Sequence, residues 1–303
     1  MAMRVATFGI SEQMIAAALR TQSVMANQQI QEASGQVSSD FSGYGSSTQQ
    51  ILNLQVSVSR SQSYIDAATQ ADSKIEVMYS TVNSVADLLT QFRTLLTAAS
   101  NVASTDSTSV TQSAQDMLEQ MAALLNTQYS GNYLFGGART TSAPVDIDSA
   151  TYAAATSPST ADTSYYRGDN EVASVRVSDS QTVSYGVTAD NTAFEQALRA
   201  MNLVANNSPL STDTLNEALD LATSAVDAVG VVQSKISNAS SSVERASAAQ
   251  TDYQSFAETL GSDLTSVDVA AITASLSTYQ AQLTASYAAI AKVQSLNLAS
   301  YLS

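Results

Sequence analysis

The sequence contains no cysteine, histidine or tryptophan and only three prolines in 303 residues. Without cysteine and histidine, the chain cannot form a disulfide, a thiolate or imidazole metal site, or the usual pair of a nucleophile and a histidine base. A serine–lysine pair is disfavoured because the three lysines (Lys74, Lys235 and Lys292) lie in segments with helical periodicity. We therefore expect no enzymatic activity, no cofactor and no metal ion.

Charged residues are also scarce, at 13% of the chain, and they are mostly acidic, which gives a net charge of −15. Because phosphate backbones bind clusters of lysine and arginine, we expect no nucleic-acid partner. No run reaches the roughly 18 apolar residues of a membrane-spanning helix, so we expect no membrane insertion. Ser11, Glu12 and Gln13 interrupt the apolar stretch that a cleaved signal peptide needs. Composition alone is typical of a cytoplasmic protein or of one exported without a cleaved signal.

The first half of the chain predicts long helices, since neither glycine nor proline occurs in residues 46–130. Apolar residues recur there in steps of three and four, which is the spacing of one helix face. Ser61 and Asp72 are polar exceptions in this series. We expect one helix over residues 46–98, a break within residues 100–110, and a second helix that ends near residue 129.

The middle of the chain changes character after the glycine-containing stretch "YSGNYLFGGART". Apolar residues then alternate with polar ones in "VASVRVS" (172–178) and "TVSYGVT" (182–188), which predicts strands with one buried face. Helical spacing returns over about residues 194–204 and 215–259. A terminal helix is expected after a joint at Gly261.

The C-terminal segment from residue 269 onward carries a second apolar series with heptad spacing. Only Ser286 interrupts it, and the series consists of Val269, Ile272, Leu276, Tyr279, Leu283, Ile290 and Val293. A weaker series near the N-terminus consists of Ile10, Met14, Ala17, Val24 and Ile30. The two termini could therefore pair with each other, but helices this short make a poor core in isolation. We expect them to be loose in the free monomer and to order against neighbouring subunits.

The predicted fold is mainly α: a long antiparallel helical coiled-coil rod formed by the N- and C-terminal segments, with a small β-rich inserted domain in the middle. The predicted domains are terminal helices that order on assembly (1–45 and 262–303), a helical rod (46–138 and 192–261), and a β-rich outer insert (139–191).

Three stretches resemble the flagellin superfamily, and within it the branch of hook-associated protein 3. They are "GNYLFGGARTTSAP" (131–144), "YYRGDN" (165–170) and the tail from Leu264 to Leu302, which closes on "LNLASYL". The stretch "ASGQVSSDFSGYGSS" (33–47) departs from the family, in which many members have a basic turn and an acidic segment with proline.

The resemblance implies a non-enzymatic building block of the bacterial flagellum, extracellular and located at the junction of hook and filament. It implies export through the flagellar secretion apparatus, with an export chaperone and without a cleaved signal peptide. The implied partners are identical subunits in a ring, a neighbouring hook-associated protein and the filament flagellin.

Burial of the two apolar series between subunits is the assembly mechanism that we predict. The candidate interface residues are Val5, Phe8, Ile10, Met14, Ile272, Leu276, Tyr279, Leu283, Ile290, Val293, Leu298 and Leu302. The alternative is that this seam packs inside one monomer.

Two other functions remain open from the sequence: a filament flagellin, and a surface adhesin displayed through the β insert. Tyr152, Tyr165, Tyr166 and Tyr185 favour the adhesin as aromatic groups for a sugar, although no tryptophan is present. The tripeptide Arg167–Asp169 matches a cell-adhesion motif, but a turn explains it better.

Overall fold

The computed structural model describes residues 2–101 and 107–295, without the side chains of residues 2–8, 101, 294 and 295. Six α-helices dominate this part of the chain. They are α1 (Ala2–Ser34), α2 (Thr48–Asn101), α3 (Ser107–Leu125), α4 (Thr192–Ala205), α5 (Thr212–Thr265) and α6 (Val269–Ser295). The strands are short: β1 (Gln128–Tyr129), β2 (Asn132–Tyr133), β3 (Ser174–Arg176) and β4 (Thr182–Ser184). The predicted fold class, mainly α with a small β region, is confirmed.

The first predicted long helix matches α2, and the predicted break falls between the end of α2 and the start of α3. The second helix ends at Leu125 rather than near residue 129, because β1 and β2 form a hairpin directly after it. Ser130 and Gly131 make its two-residue turn with φ values of 50° and 79°. Two positive φ values are typical of a type I′ turn, whose twist suits a tight hairpin.

The predicted joint at Gly261 is wrong, because α5 continues through this residue to Thr265. A Cβ at Gly261 would meet no other atom within 4 Å, so no close packing explains the glycine. The helix instead breaks at residues 266–268, where the Asp268 side chain accepts a hydrogen bond of 3.1 Å from the backbone N–H of Ala271. An aspartate in this position caps the start of α6.

The structure divides into two compact units. The terminal unit comprises Met1–Ser59 and Gln254–Ser303, and the central unit comprises Arg60–Tyr253. These limits differ from the predicted domains, which placed the start of α2 and the end of α5 in the rod. The terminal unit instead includes both of these helix ends together with α1 and α6.

The central unit has an extensive apolar core. Phe92, Phe135 and Phe194 are fully buried, and the rings of Phe135 and Phe194 meet edge to face with centroids 5.9 Å apart. Burying a side chain of this size contributes about 1.5–3 kcal/mol to the free energy of folding. This unit therefore has a core of its own.

The insert of the central unit contains less strand than predicted. Three residues each of β3 and β4 pair antiparallel, with Val175 opposite Val183. Most of residues 139–191 is irregular chain, and polar side chains of the helices hold part of it in place. Asn202 of α4 accepts a hydrogen bond from the N–H of Ala155 and donates one to the carbonyl of Ala153, both at 3.1 Å. The alternation of apolar residues in this region reflects burial against the helices more than a sheet.

Candidate assembly interface

The terminal helices α1 and α6 pack against each other inside the terminal unit. Where the pair begins, the backbone N–H of Val37 donates to the carbonyl of Thr265 at 2.8 Å, and that of Val267 donates to the carbonyl of Gly35 at 3.0 Å. These bonds form an antiparallel bridge, so α1 and α6 run in opposite directions. The side chain of Thr273 also donates to the Glu32 carboxylate at 2.7 Å.

The face between α1 and α6 contains much of the heptad series. Ala18 and Leu276 are buried, with 3% and 5% exposed. Other apolar residues of the two helices are half-buried: Met14, Met25, Ile272, Tyr279, Leu283, Ile290 and Val293. Residues of the seam are therefore buried or half-buried within the same chain, and their further burial between subunits stays a prediction.

The remaining candidate interface residues are placed differently. Ile10 is 53% exposed and lies outside the seam. Val5 and Phe8 belong to α1, but their side chains are outside the described part, as are Leu298 and Leu302 altogether. A role of these residues between subunits stays a prediction.

The terminal unit buries little of its apolar surface. Among the described residues it buries four hydrophobic side chains, those of Ala18, Ile51, Ala257 and Leu276. It leaves eleven large ones exposed, against four in the larger central unit. The eleven are Ile10, Ile15, Leu19, Val24, Ile30, Phe41, Leu52, Val56, Phe256, Val269 and Tyr287. We call these eleven residues the exposed apolar set.

Ile10, Val24, Ile30 and Val269 of this set belong to the predicted apolar series, whereas the other seven members do not. Ile15 and Leu19 are four residues apart, as are Ala26 and Ile30, so a second stripe on α1 was visible in the spacing. Polar Gln22 and Ser23 separate the two pairs and weaken the signal. Phe256 lies in a helix whose apolar residues elsewhere belong to the core, so its exposure could not be predicted from the spacing.

The connection between α1 and α2 is compact. Residues Phe41–Ser47 form a 3₁₀ helix, in which Gly45 has a φ of 54° and a ψ of −122°. The hydroxyl of Tyr44 donates to the carbonyl of Ser38 at 2.6 Å, and that of Thr48 donates to the carbonyl of Phe41 at 2.6 Å. This is the stretch in which the sequence departs from the family pattern.

The adhesion-like tripeptide serves the structure of the central unit. Its Asp169 carboxylate accepts hydrogen bonds from the N–H groups of Ala138 (2.9 Å) and Glu171 (3.0 Å), which lower the pKa of this carboxyl. Arg167 forms an ion pair of 3.6 Å with Asp146. Both charged groups of the tripeptide are therefore engaged within the chain, in agreement with the turn interpretation.

The tyrosines proposed for sugar binding do not form an exposed aromatic surface. Tyr165 and Tyr185 are buried, and the hydroxyl of Tyr165 donates to the carbonyl of Ala189 at 3.0 Å. Tyr152 and Tyr166 are partly buried, and desolvation raises the pKa of Tyr152 to about 12. These residues pack the insert onto the helices of the central unit.

A cavity of about 210 Å³ lies beside Tyr152, Asp162, Arg199 and Asn202 in the central unit. The guanidinium of Arg199 is already neutralised by Glu195, with the Nε and Oε1 atoms 3.0 Å apart. Among the described residues, no group of three or more acidic side chains is arranged to hold a metal ion. The described helices include none with the length and apolarity needed to span a membrane.

Comparison with known proteins identifies the fold. Residues 5–140 match the family described as the bacterial flagellin N-terminal helical region. A structure described as a flagellar hook-associated protein of Vibrio parahaemolyticus aligns with a TM-score of 0.61 and 16% identity, covering 72% of this chain and 97% of that one.

A second solved structure, the flagellar junction protein FlgL of Legionella pneumophila, aligns with a TM-score of 0.53 and 13% identity. It covers 70% of this chain and 98% of that protein. No curated protein sequence matches the chain. The predicted resemblance is confirmed at the level of the fold.

Proposed function

From the flagellin helical region in its N-terminal half and the fold that it shares with hook-associated proteins, we propose that this chain is a structural subunit of the bacterial flagellum, which connects the hook to the filament. The terminal unit is the part that assembles, and the central unit projects the insert as an outer module. The chain acts by binding other subunits, not by catalysis.

The observation that carries this proposal is the exposed apolar set of the terminal unit. A monomer gains most of its stability by burying such side chains, yet among the described residues of the terminal unit eleven of them face solvent while four hydrophobic side chains are buried. Large exposed apolar surfaces on soluble proteins usually mark sites of protein–protein contact. An assembly in which these residues leave water completes the core that the isolated terminal unit lacks.

The partners follow from the same reading. Identical subunits form a ring, and a neighbouring hook-associated protein and the filament flagellin adjoin it. The chain reaches this extracellular site through the flagellar secretion apparatus, with an export chaperone and no cleaved signal peptide. Its lack of cysteine suits a chain that is exported before it folds.

The mechanism is burial of apolar surface between subunits. Each leucine or isoleucine that leaves water contributes about 1.5–3 kcal/mol. A few such residues per interface are enough to offset the entropic cost of fixing a subunit, which is about 4–15 kcal/mol. In a ring, each subunit presents one surface to each of its two neighbours, so a substitution in the interface is repeated at every contact around the ring.

The test changes exposed residues of α1 that do not support the α1–α6 seam. Leu19 and Ile30 are each 59% exposed, and both become aspartate in the variant Leu19→Asp/Ile30→Asp. We expect normal helix content and export, but at least a tenfold smaller fraction of the protein retained in purified flagella, since about 1.4 kcal/mol corresponds to a factor of ten.

The matched control is Gln22→Asp/Gln29→Asp, which adds the same charge at exposed positions of the same helix. Its retention should stay close to that of the parent chain. Equal retention of the two double variants would show that the exposed apolar set plays no part in assembly.

The two alternative functions, a filament flagellin and a surface adhesin, have different support. A filament flagellin would use the same terminal unit, so only its position on the flagellum distinguishes it. The adhesin hypothesis loses the tyrosines on which it rested, because these residues pack the insert onto the helices.

A further inference from the structure

Three polar pairs join α2 to α5 within the central unit. Ser61 is 2% exposed, and its hydroxyl donates to the Oε1 atom of Gln250 at 3.1 Å. The hydroxyl of Ser240 donates to the Oδ1 atom of Asp72 at 3.1 Å. The side-chain amide of Gln233 donates to the Oδ1 atom of Asn83 at 2.7 Å. Ser61 and Asp72 are the two residues that interrupt the apolar series of α2.

These pairs are regularly placed along α2. Ser61, Asp72 and Asn83 are eleven positions apart, which is close to three full turns of an α-helix, so they lie on the same side of it. The residue numbers of their partners on α5 fall as the residue numbers on α2 rise, as expected for antiparallel helices. These partners are Gln250, Ser240 and Gln233.

The apolar seam of α5 has similar side chains along its whole length, whereas each polar pair consists of different residues. Buried residues recur on it in steps of three and four, and all are small or β-branched. They are Ala218, Ala222, Ala225, Val229, Val232, Ile236, Ala239, Val243 and Ala246. A shift of α5 by one heptad along α2 would therefore still bring apolar residues to apolar positions over most of this length.

Such a shift does not preserve all three polar pairs in either direction, and Ser61 loses its polar partner in both. Counting along the antiparallel helices, a shift in one direction would place Val226 opposite Asn83 and Val243 opposite Ser61. A shift in the other direction would place Ser247 opposite Asp72 and Ser240 opposite Asn83, which keeps polar groups together, but it would place Ala257 opposite Ser61. In each case a buried or half-buried polar group loses its partner, which is unfavourable where water has poor access.

We infer that Ser61, Asp72 and Asn83, with their partners on α5, set the register of the α2–α5 pair. The apolar seam supplies attraction between the helices, and the polar pairs select one of several alignments that this attraction allows. Single polar residues at core positions act in this way in coiled coils, at some cost in stability. This inference concerns the central unit and does not depend on the proposed function.

The absence of cysteine allows a direct measurement of register. Gln70→Cys on α2 and Ser224→Cys on α5 replace exposed residues and accept spin labels at two unique sites. A shift of one heptad moves α5 by about 10 Å along the helix axis, at 1.5 Å per residue. Because the two labels are displaced from each other along the axis, their distance changes by nearly this amount.

In the doubly labelled parent we expect one distance. In the variant Ser61→Ala/Asp72→Ala/Asn83→Ala we expect a second population displaced by about 10 Å. The control Thr69→Ala/Ser80→Ala/Thr90→Ala removes three hydroxyls from exposed positions of α2 and should keep the single parental distance. A single parental distance in the first triple variant would overturn the inference.

Two further variants keep the inference testable if the triple variant fails to fold. Asn83→Gln/Gln233→Asn exchanges the amides of one pair, keeps a hydrogen bond possible and should retain the single distance. Asn83→Leu/Gln233→Leu replaces the pair with apolar side chains and should show the second distance. Identical distance distributions for these two variants would contradict the inference.

Discussion

Single residues decide where the helices of the terminal unit end. Gly35 has a φ of 70°, a value that glycine adopts readily and that costs other residues about 1–2 kcal/mol. This conformation lets its N–H donate to Gln31 while its carbonyl accepts the N–H of Val267. Gly261 shares the residue type but lies within α5, with open space around its Cα.

Alanine substitutions at these two glycines should therefore have opposite effects. Gly35→Ala should lower the stability of the α1–α6 pair by about 1–2 kcal/mol, because of the positive φ. Gly261→Ala should raise stability by about 0.5–1 kcal/mol, because alanine is the better helix former. Hydrogen exchange measures both changes: the free energy of opening of amides in α6 reports the first, and that of amides near the C-terminal end of α5 reports the second. A loss of stability in both variants would contradict this assignment.

The same two residues show what the local sequence could reveal. The sequence predicted a joint at Gly261 and none at Gly35, although nothing in their neighbours distinguishes the two glycines. The conformation of Gly35 depends on the hydrogen bond between its carbonyl and the N–H of Val267. Val267 is distant in sequence, so this contact is visible only in the folded structure. The polar exceptions Ser61 and Asp72 were visible in the sequence, but their partners on α5 were not.

At the scale of elements, helices were easier to predict than strands. Helix α2 follows from its periodicity and the absence of glycine and proline, both of which are local properties. The strands of the insert were overestimated because alternation indicates a buried face without showing what covers it. The β1–β2 hairpin was missed since Ser130 adopts a positive φ that its residue type seldom favours.

The helices α1 and α6 should be the least stable long elements in the free monomer. Their shared seam buries Ala18 and Leu276 fully and other residues in part, whereas α2 and α5 contribute many buried side chains to the central unit. We expect amide exchange in α1 and α6 to be at least a hundredfold faster than in the parts of α2 and α5 that belong to the central unit.

Dilute monomer is the sample for this measurement, and the assembled flagellar form is the comparison. Protection of α1 and α6 should rise on assembly, as apolar surface becomes buried. Exchange in the monomer as slow as that of the central unit would mean that the terminal pair is complete without neighbours, and the prediction that it orders on assembly would be wrong.

At the scale of the whole molecule, the two units differ in how much of their apolar surface they bury. The central unit has a buried aromatic and aliphatic core, specific polar pairs and a packed insert. The terminal unit has a thin seam and the exposed apolar set. The domains predicted from the sequence have other limits than these two units. The limits of the units depend on contacts between distant segments, which periodicity alone does not reveal.

The position of the protein on intact flagella tests the central claim most directly. The variant Ser184→Cys offers one thiol at an exposed residue of β4, and the parent chain without cysteine measures background labelling on the same flagella. For a protein of the hook–filament junction, we expect a single labelled band at the base of the filament, beside the hook. Label along the whole filament would make the protein a flagellin, and no label on flagella above the parental background would contradict the assignment to this organelle.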